Sequence, residues 1–189
     1  MVTTKILLGL LVAMFLINRV LNSKVSVKDR NIRPEPRYYV MIVLALCEIT
    51  IISIYIINHD VFRFTHYQLP VFLNMAGETL LLTGIMLWIW SVKTLGKHWS
   101  PMLESLDGHV VVRSGPYKRV RHPIYASYVV ITTGVFLSTG NFALTILCLI
   151  ITILIILRIP EEENFLLNKL GSDYRQYMKE TGKLFPRIW

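Results

Sequence analysis

Polar residues that could do chemistry cluster at the two ends of one apolar stretch in the C-terminal half of this 189-residue chain. Residues 121–125 (RHPIY) precede the stretch, and residues 158–163 (RIPEEE) follow it. The stretch has room for about two helices joined at Ser138-Thr139-Gly140-Asn141, so the chain must return to the side from which it left. Both clusters are therefore expected at one membrane face, where their carboxylates, arginines and aromatic rings could form a cofactor site.

The elements that must position these residues are apolar helices. With 53% hydrophobic residues and a mean hydropathy of +0.51, the chain is too apolar for an ordinary soluble domain and indicates one integral membrane domain. Five apolar segments are predicted, at residues 6–20, 39–58, 71–92, 124–137 and 142–157. A span needs about 20 residues, so the last two segments are short. They form either a spanning hairpin in a thinned bilayer or a re-entrant one.

The net charge of +8 could suggest a nucleic-acid partner, but the distribution of Lys and Arg along the chain indicates membrane topology instead. Basic residues concentrate after the first, third and fifth segments, and only Lys5 and Arg63 fall clearly on the other side. The positive-inside rule then predicts an outer N-terminus and a cytoplasmic C-terminus. The charge needs no nucleic-acid partner. The first segment is not expected to be a cleaved signal, because no small-x-small site follows it.

Two connecting regions and a C-terminal helix are predicted from composition. Residues 22–37 form a polar connection, and residues 93–120 are too long for a simple turn and carry turn signals at Asp107-Gly108 and Gly115-Pro116. Residues 160–179 show helical spacing of apolar side chains, which predicts an amphipathic helix lying across the cytoplasmic mouth as a lid.

Several site classes lack their sequence signals. No GxG is present, which removes the Rossmann dinucleotide and soluble methyltransferase folds, and no GxSxG elbow is present for a hydrolase. The five histidines form no HxH or HxxxH pair, so a metal site has little support. Cys47 and Cys148 fall within apolar segments, where packing as small hydrophobic residues is expected rather than a disulfide.

The remaining polar motifs, in this order, resemble the isoprenylcysteine carboxyl methyltransferase family and its prokaryotic relatives. The resemblance starts at about residue 93 and is carried by RHPxY, a hairpin of the right length, the acidic run, and a GxxYxxY tail at residues 171–177. It implies three N-terminal helices over residues 1–92 and a cofactor-binding catalytic half over residues 93–189. Five segments are similar to the smaller prokaryotic form. The fold implied is an all-α integral membrane protein with about five transmembrane helices and a cytoplasmic cofactor pocket.

The resemblance implies S-adenosyl-L-methionine as the methyl donor and a lipophilic or prenylated acceptor that arrives from the bilayer. It implies the cell membrane if the source is prokaryotic and the endoplasmic reticulum if it is eukaryotic. Glu162, Tyr117 and Tyr125 suit a sulfonium cation, and Arg158 is expected to orient the acceptor carboxylate as the catalytic residue. The residues expected to bind the cofactor are His109, Val110, Val111, Val112, Tyr117, His122, Pro123, Ile124, Tyr125 and Glu162.

Other interpretations remain open for these residues. Arg121 and Arg158 could simply flank transmembrane segments, His122 could cap a helix, and the acidic run could stabilise the first turn of the last helix. The tyrosines could form an interfacial belt. Functional alternatives are a phospholipid or phenolic-oxygen methyltransferase with His122 or His109 as base, a sterol-reductase-like enzyme that uses NADPH, and a non-enzymatic membrane scaffold.

Residues within the apolar segments have structural explanations. Buried acids in a membrane are costly, and helix-helix hydrogen bonding is the expected role of Glu48 and Glu78. Gly77 and Gly84 are expected to allow two helices to pack closely.

Overall fold

The computed structural model describes residues 2–26, 36–96 and 110–187, and these residues are almost entirely helical. Within these ranges, two short 3₁₀ helices, His59–Thr65 and Gly115–Lys118, accompany six α-helices. The α-helices are α1 Val2–Ser26, α2 Pro36–Ile57, α3 Val71–Leu95, α4 Pro123–Thr139, α5 Phe142–Leu157 and α6 Ile159–Glu180. Across the described ranges no strand forms, and two isolated bridges join His66 to Asn141 and Val120 to Gly182. The predicted all-α class is confirmed.

Two helical stretches are long and apolar enough to cross a membrane. They are Val71–Leu95, which is α3, and the continuous stretch Phe142–Glu180, whose apolar part is α5. Shorter apolar helices occupy Val2–Met14, Ile42–Ile57 and Pro123–Thr139. This pattern is consistent with a membrane protein, and the count of five spans stays a prediction.

The helix ends differ from the sequence prediction at two places. Helix α1 continues through Ser26, so it takes in residues that were assigned to the polar connection. Helix α4 includes Ser138 and Thr139, which leaves Gly140 and Asn141 as the turn. Gly140 has a φ of +59°, and a Cβ there would lie 2.1 Å from the Tyr67 carbonyl oxygen, so only glycine fits. The Asn141 side chain then caps α5 by accepting from Leu144 N–H at 3.1 Å.

Helices α3 and α4 approach each other closely because glycines line their contact. A Cβ on Gly77 would lie 2.3 Å from the Ser138 backbone nitrogen, and one on Gly84 would lie 2.6 Å from the Ile131 side chain. Gly134 gives the same close approach from α4, because a Cβ there would lie 2.5 Å from the Leu81 nitrogen. The predicted role of Gly77 and Gly84 is confirmed.

Acidic side chains inside the helical bundle take part in helix-helix hydrogen bonds, as predicted. The Thr4 hydroxyl donates to Glu78 at 2.6 Å and joins α1 to α3. The Cys148 thiol donates to Glu48 at 3.2 Å and joins α2 to α5. Both cysteines are free: Cys47 is exposed, and Cys148 is a buried hydrogen-bond donor, so neither behaves only as a small hydrophobic core residue.

Helix α6 departs from the predicted uninterrupted amphipathic helix. Gly171 adopts φ +56° and ψ −124° inside it, so the helical direction breaks there. A residue with a side chain would be strained at this φ. At the other end the helix is continuous past Pro160: Arg158 is helical, and its carbonyl accepts from Glu162 N–H at 3.0 Å. Tyr174 and Tyr177, after the break, are buried.

Candidate functional site

The two polar clusters meet at one end of the α4–α5 hairpin, as the sequence predicted. The Arg121 Nε donates to Glu163 Oε1 at 2.8 Å, and the Tyr125 hydroxyl donates to Glu162 Oε2 at 2.6 Å. Helix α4 supplies Tyr125 from its first turn, and α6 supplies both carboxylates from its first turns. The hairpin turn between Gly140 and Asn141 makes this meeting possible because it returns α5 alongside α4.

His122 stands at the centre of this group. It is the N-cap residue of α4, as one interpretation of the sequence allowed, but its side chain makes no capping hydrogen bond. The buried ring instead places Nε2 3.2 Å from Glu163 Oε1 and Nδ1 3.9 Å from Glu162 Oε2. It also stacks on the Tyr125 ring, with centroids 5.4 Å apart and planes 11° from parallel. Two carboxylates and one aromatic ring therefore surround the imidazole.

Glu163 is a functional candidate that the sequence reasoning missed. Its buried carboxylate contacts Arg121, His122 and, at 3.6 Å, the Lys183 Nζ. Burial would raise the pKa of Glu163, but hydrogen bonds from His122 and Arg121 and their charges lower it to about 2. The acidic run was the sequence signal, because three consecutive acids on a helix point in three directions and need not share one environment.

Arg121 is more than a basic residue flanking a membrane segment. Its side chain is 7% exposed, and besides Glu163 it donates to the Met178 carbonyl at 2.9 Å and to the Thr181 carbonyl. All three acceptors belong to α6 or to the residue that follows it. The guanidinium thus connects the entrance of the hairpin to both ends of α6.

The C-terminal tail pairs with the segment before α4, and the sequence analysis did not predict this. Arg121 N–H donates to the Gly182 carbonyl at 2.8 Å, His122 N–H donates to the Lys183 carbonyl at 3.0 Å, and Gly182 N–H donates to the Arg119 carbonyl at 3.0 Å. A Cβ on Gly182 would lie 1.8 Å from the Phe185 carbonyl oxygen, so the tail needs glycine there. The backbone of His122 is therefore fixed by the tail as well as by α4.

Tyr117, Tyr174 and Tyr177 are buried, which contradicts their interpretation as an interfacial belt, whereas Tyr125 is half-buried. The Tyr177 hydroxyl donates to the Tyr117 carbonyl at 2.7 Å and ties α6 to the 3₁₀ helix Gly115–Lys118. Burial, followed by the charge of Glu162, raises the pKa of the Tyr117 hydroxyl well above its usual range. Burial likewise raises the pKa of Tyr177 to about 12. Both phenols are therefore neutral near pH 7.

The extended stretch expected to line a cofactor is described from Val110 onward, and His109 lies outside the described residues. Val110 is exposed, whereas Val111 and Val112 are half-buried and non-helical. Arg113 fixes the stretch to α6, because it donates to Glu180 at 2.7 Å and lies 5.6 Å from the Tyr177 ring centroid. Backbone groups of residues 110–112 are thus held beside the second half of α6.

The remaining predicted site residues lie at the helix ends of the hairpin. Pro123 is buried, Ile124 is half-buried, and both belong to the first turn of α4. Arg158 is half-buried at the junction of α5 and α6, and its charge acts on the Tyr125 hydroxyl. Arg158 and Glu162 are separated by one helical turn, so they share a side of the helix that faces the Tyr125 end of α4.

The chemistry of this group suits a cationic ligand. Glu162 has a side chain that is 30% exposed, so it is the accessible carboxylate beside the buried Glu163. The Tyr125 ring, which stacks on the buried His122, lies beside this carboxylate and offers a π face. A partly desolvated carboxylate with aromatic neighbours attracts a sulfonium or ammonium more strongly than it would in water. The residues present therefore fit the methyl donor that the sequence resemblance implies.

Comparison with known proteins gives one family and several relatives. Residues 76–168 match the model of the isoprenylcysteine carboxyl methyltransferase family. A protein-S-isoprenylcysteine O-methyltransferase of Schizosaccharomyces pombe is 35% identical over 81 residues, which are 42% of this chain and 34% of that protein. The cobalt-zinc-cadmium resistance protein CzcN of Cupriavidus metallidurans is 31% identical over 111 residues, 58% of this chain and 50% of that protein.

A probable protein-S-isoprenylcysteine O-methyltransferase of Oryza sativa subsp. indica is 25% identical over 120 residues, 62% of this chain and 63% of that protein. The chain thus spans between 34% and 63% of the length of these relatives. The matched region 76–168 contains most of α3, all of α4 and α5, and about the first half of α6. It therefore includes His122, Tyr125, Arg158 and Glu162. Through this region, the chain is similar to the isoprenylcysteine carboxyl methyltransferase family.

Proposed function

We propose that this protein is a membrane-embedded methyltransferase that uses S-adenosyl-L-methionine to methylate the carboxylate of a lipophilic, isoprenylcysteine-like acceptor. The observation that carries the proposal is the meeting of Tyr125, His122 and Glu162 at one end of the hairpin, with Arg158 one turn before Glu162. These residues come from two separate motifs, and both motifs lie inside the region that matches the family. Membrane flanking or helix capping would not require them to meet.

The donor side of the site consists of Glu162 and the two rings beside it. Glu162 is held by the Tyr125 hydroxyl at 2.6 Å, so its carboxylate has a fixed orientation before any ligand binds. When bound, S-adenosylmethionine would supply the methyl group of its sulfonium: the sulfur–methyl bond breaks, the rest of the donor becomes a neutral thioether, and the acceptor carboxylate becomes a methyl ester. The protein attracts that cation through Glu162 and through the π face of Tyr125.

The acceptor side of the site is assigned to Arg158. A guanidinium binds a carboxylate through two parallel charge-assisted hydrogen bonds, which fixes both its position and its plane. The acceptor carboxylate is already ionised near pH 7, so no residue has to remove a proton. The tasks of the protein are then to orient the carboxylate and to exclude water from it, and each lowers the barrier to transfer.

The apolar helices give the acceptor its route. Helix α5 carries exposed apolar side chains at Ile146, Leu149, Ile150, Ile153 and Leu157, and its last residue adjoins Arg158. A lipid tail can therefore stay among apolar surfaces while its polar end reaches the arginine. We place this end of the hairpin on the cytoplasmic side, with the N-terminus outside, because Lys and Arg are concentrated there.

Binding of the donor tests the first half of the proposal. Purified protein in detergent is expected to bind radiolabelled S-adenosylmethionine and not NADPH at equilibrium. Glu162→Gln should weaken this binding at least about 10-fold, because a charge-assisted contact is lost. Its neighbour Glu161 is exposed, so Glu161→Gln is the matched control and should bind as the native protein does. If the protein bound NADPH and did not bind S-adenosylmethionine, the methyltransferase proposal would be wrong and a reductase would be favoured.

Transfer to defined acceptors tests the second half. Label from S-adenosylmethionine should appear as a base-labile ester on an N-acetylated prenylcysteine with a free carboxylate, and not on the same compound with its carboxylate amidated. The rate should be flat with pH above the pKa of the acceptor carboxyl, because no base is needed. Label on a phospholipid or a phenol, with a rate that rises as a histidine loses its proton, would contradict the carboxylate acceptor.

A further inference from the structure

The turn of the α4–α5 hairpin, at the end opposite the polar site, lies inside the protein. Ser138, Thr139 and Asn141 are buried there although all three carry polar side chains. The two helices that lead to this turn have 17 and 16 residues, so at about 1.5 Å per residue they reach about 25 Å, less than the bilayer core of about 30 Å. Another part of the chain therefore has to complete the distance to the far interface.

Residues 60–67, which we call the turn cover, lie over this turn. The side chain of Asn141, at 0% exposure, donates from its amide nitrogen to the Phe62 carbonyl at 3.3 Å. Tyr67 N–H donates to the Gly140 carbonyl at 2.8 Å. The cover thus gives the polar groups of the turn the partners that water would otherwise supply, and it is bonded to the hairpin at two points.

The side chains of the turn cover alternate between buried and exposed with a period of three, as expected of its 3₁₀ geometry. Phe62 packs against the hydrophobic core, and Thr65 is half-buried beside it along the chain. Val61, Phe64 and Tyr67 are instead 50%, 86% and 61% exposed. A second exposed set is polar and consists of Asp60, Arg63 and His66. The cover therefore presents one apolar row and one polar row to its surroundings.

Exposed apolar side chains continue along the chain into the first turns of α3, which is long and apolar enough to cross a membrane. Val71, Phe72 and Met75 are 74%, 69% and 63% exposed. A membrane interface accommodates a surface of this kind, because aromatic and aliphatic side chains enter the acyl boundary while neighbouring polar groups stay among the headgroups. Contact with water would leave the same apolar area hydrated.

We infer that the turn cover contacts lipid: Val61, Phe64 and Tyr67 enter the bilayer at the leaflet opposite the polar site, and the polar row of the cover stays at its headgroups. The hairpin then ends inside the protein, and the cover takes its place at the far interface. Because the cover is bonded to the turn, its anchorage fixes the depth of the hairpin in the bilayer. The inference goes beyond the proposed function, since it rests on membrane placement and on neither the methyl donor nor the acceptor.

Photo-cross-linking in vesicles tests the lipid contact. The full chain with Phe64→p-benzoylphenylalanine is reconstituted in phosphatidylcholine that contains a radiolabelled phosphatidylcholine tracer. The probe at Phe64 should capture at least about 3-fold more lipid than the same probe at Asp60, because only the apolar row enters the acyl boundary. The same probe at Ile150, an exposed apolar residue of α5, reports membrane placement alone.

The outcomes of this experiment separate the inference from the proposed function. Capture of lipid at both Phe64 and Ile150 supports the inference. Capture at Ile150 with none at Phe64, or equal capture at Asp60 and Phe64, overturns it while membrane placement stands. Capture of a second protein chain at Phe64 in place of lipid also overturns it, because the apolar row would then be a protein interface. No lipid at Ile150 would remove the inference together with the membrane placement of the proposed function.

Amide hydrogen exchange in nanodiscs, followed by NMR, tests the bond between the cover and the turn. Tyr67 has an exposed side chain, yet its N–H should exchange slowly because it donates to the Gly140 carbonyl. Asn141→Ala should accelerate this exchange at least about 10-fold, because local opening becomes easier once the cover is released. Asn168 is an exposed asparagine of α6, so Asn168→Ala is the matched control and should leave the rate unchanged. Fast exchange of Tyr67 in the native protein overturns the inference; if Asn141→Ala fails to fold, the native rate decides.

Discussion

The Nε atom of Arg121 lies 2.8 Å from Oε1 of Glu163, although the two residues are 42 positions apart and separated by a helical hairpin. Both side chains are buried, at 7% and 8% exposure. The pair closes the hairpin at its polar end and holds α6 against the segment before α4. Because each charge lost its water on folding, each depends on the other for compensation.

The first prediction concerns removal of Arg121. Arg121→Ala leaves Glu163 buried without its main partner, and we expect a loss of about 3 kcal/mol in unfolding free energy. Arg113→Ala is the matched control, because the Arg113–Glu180 ion pair is exposed and should contribute about 1 kcal/mol or less. Reversible denaturant unfolding in mixed micelles measures both. Equal losses of unfolding free energy in the two variants would show that the buried ion pair contributes no more to stability than the exposed one.

The second prediction concerns acid pH. The pKa of Glu163 is about 2 in the folded protein, below its ordinary value of 4.5, so its carboxylate stabilises the fold at neutral pH. That contribution should be complete above about pH 4.5 and should decline as the pH falls toward 2. Glu163→Gln removes it, so the gap in unfolding midpoint between native protein and variant should narrow between pH 5 and pH 3. A gap that is constant over this range would contradict the lowered pKa.

The third prediction concerns the Tyr125 hydroxyl. Tyr125→Phe keeps the ring stacked on His122 but removes the 2.6 Å hydrogen bond to Glu162. We expect the dissociation constant of S-adenosylmethionine to rise about 10-fold, as a hydrogen bond to a charged group contributes about 1.5 kcal/mol. Tyr67 lies exposed in the loop at the other end of the hairpin, so Tyr67→Phe is the control. Equilibrium dialysis with labelled cofactor measures both, and a similar change in the two variants would count against the role of Tyr125.

The fourth prediction separates the acceptor from the donor. Arg158→Ala should raise the KM for the prenylcysteine acceptor and lower kcat, while the dissociation constant of S-adenosylmethionine stays within about 2-fold, since the ion pair to the carboxylate is lost. Arg158→Lys should recover only part of the loss, because an ammonium cannot form the bidentate contact. Arg175 is an exposed arginine of α6, and Arg175→Ala should leave all three constants unchanged. If Arg158→Ala changed only the dissociation constant of S-adenosylmethionine, Arg158 would bind the methyl donor and not the acceptor.

The fifth prediction concerns the close contact of α3 with α4. Gly77→Ala places a methyl group 2.3 Å from the Ser138 backbone nitrogen, so the helices must separate. We expect destabilisation of about 1–3 kcal/mol and a loss of activity, since α4 carries Tyr125. Gly9 in α1 has nothing within 4 Å of its would-be Cβ, so Gly9→Ala is the control and should be neutral or slightly stabilising. Thermal unfolding in detergent compares them.

The sequence predicted the helices and the closeness of the two motifs because both depend on local physics. Apolar runs of sufficient length form helices, and a short turn at Gly140 and Asn141 forces the chain back along α4. That constraint was enough to bring Tyr125 and Glu162 into one group, as the 2.6 Å hydrogen bond confirms. Helix ends were less well predicted, since Ser138 and Thr139 belong to α4 and Gly171 breaks α6. The end of α4 depends on the close approach of Gly140 to the Tyr67 carbonyl, which no local pattern reveals.

The sequence by itself determined an all-α chain with a polar site at one end of a hairpin, because hydropathy and turn chemistry act over neighbouring residues. Only the tertiary structure decided which acid faces inward, because Glu161, Glu162 and Glu163 are chemically alike and differ only in their direction from α6. It turned Glu163 toward Arg121 and His122 and left Glu162 partly exposed beside Tyr125. It also brought the tail at Gly182 and Lys183 against His122. Long-range pairing of this kind depends on the packed helices, since charges separated along the chain become partners only when folding excludes water from both.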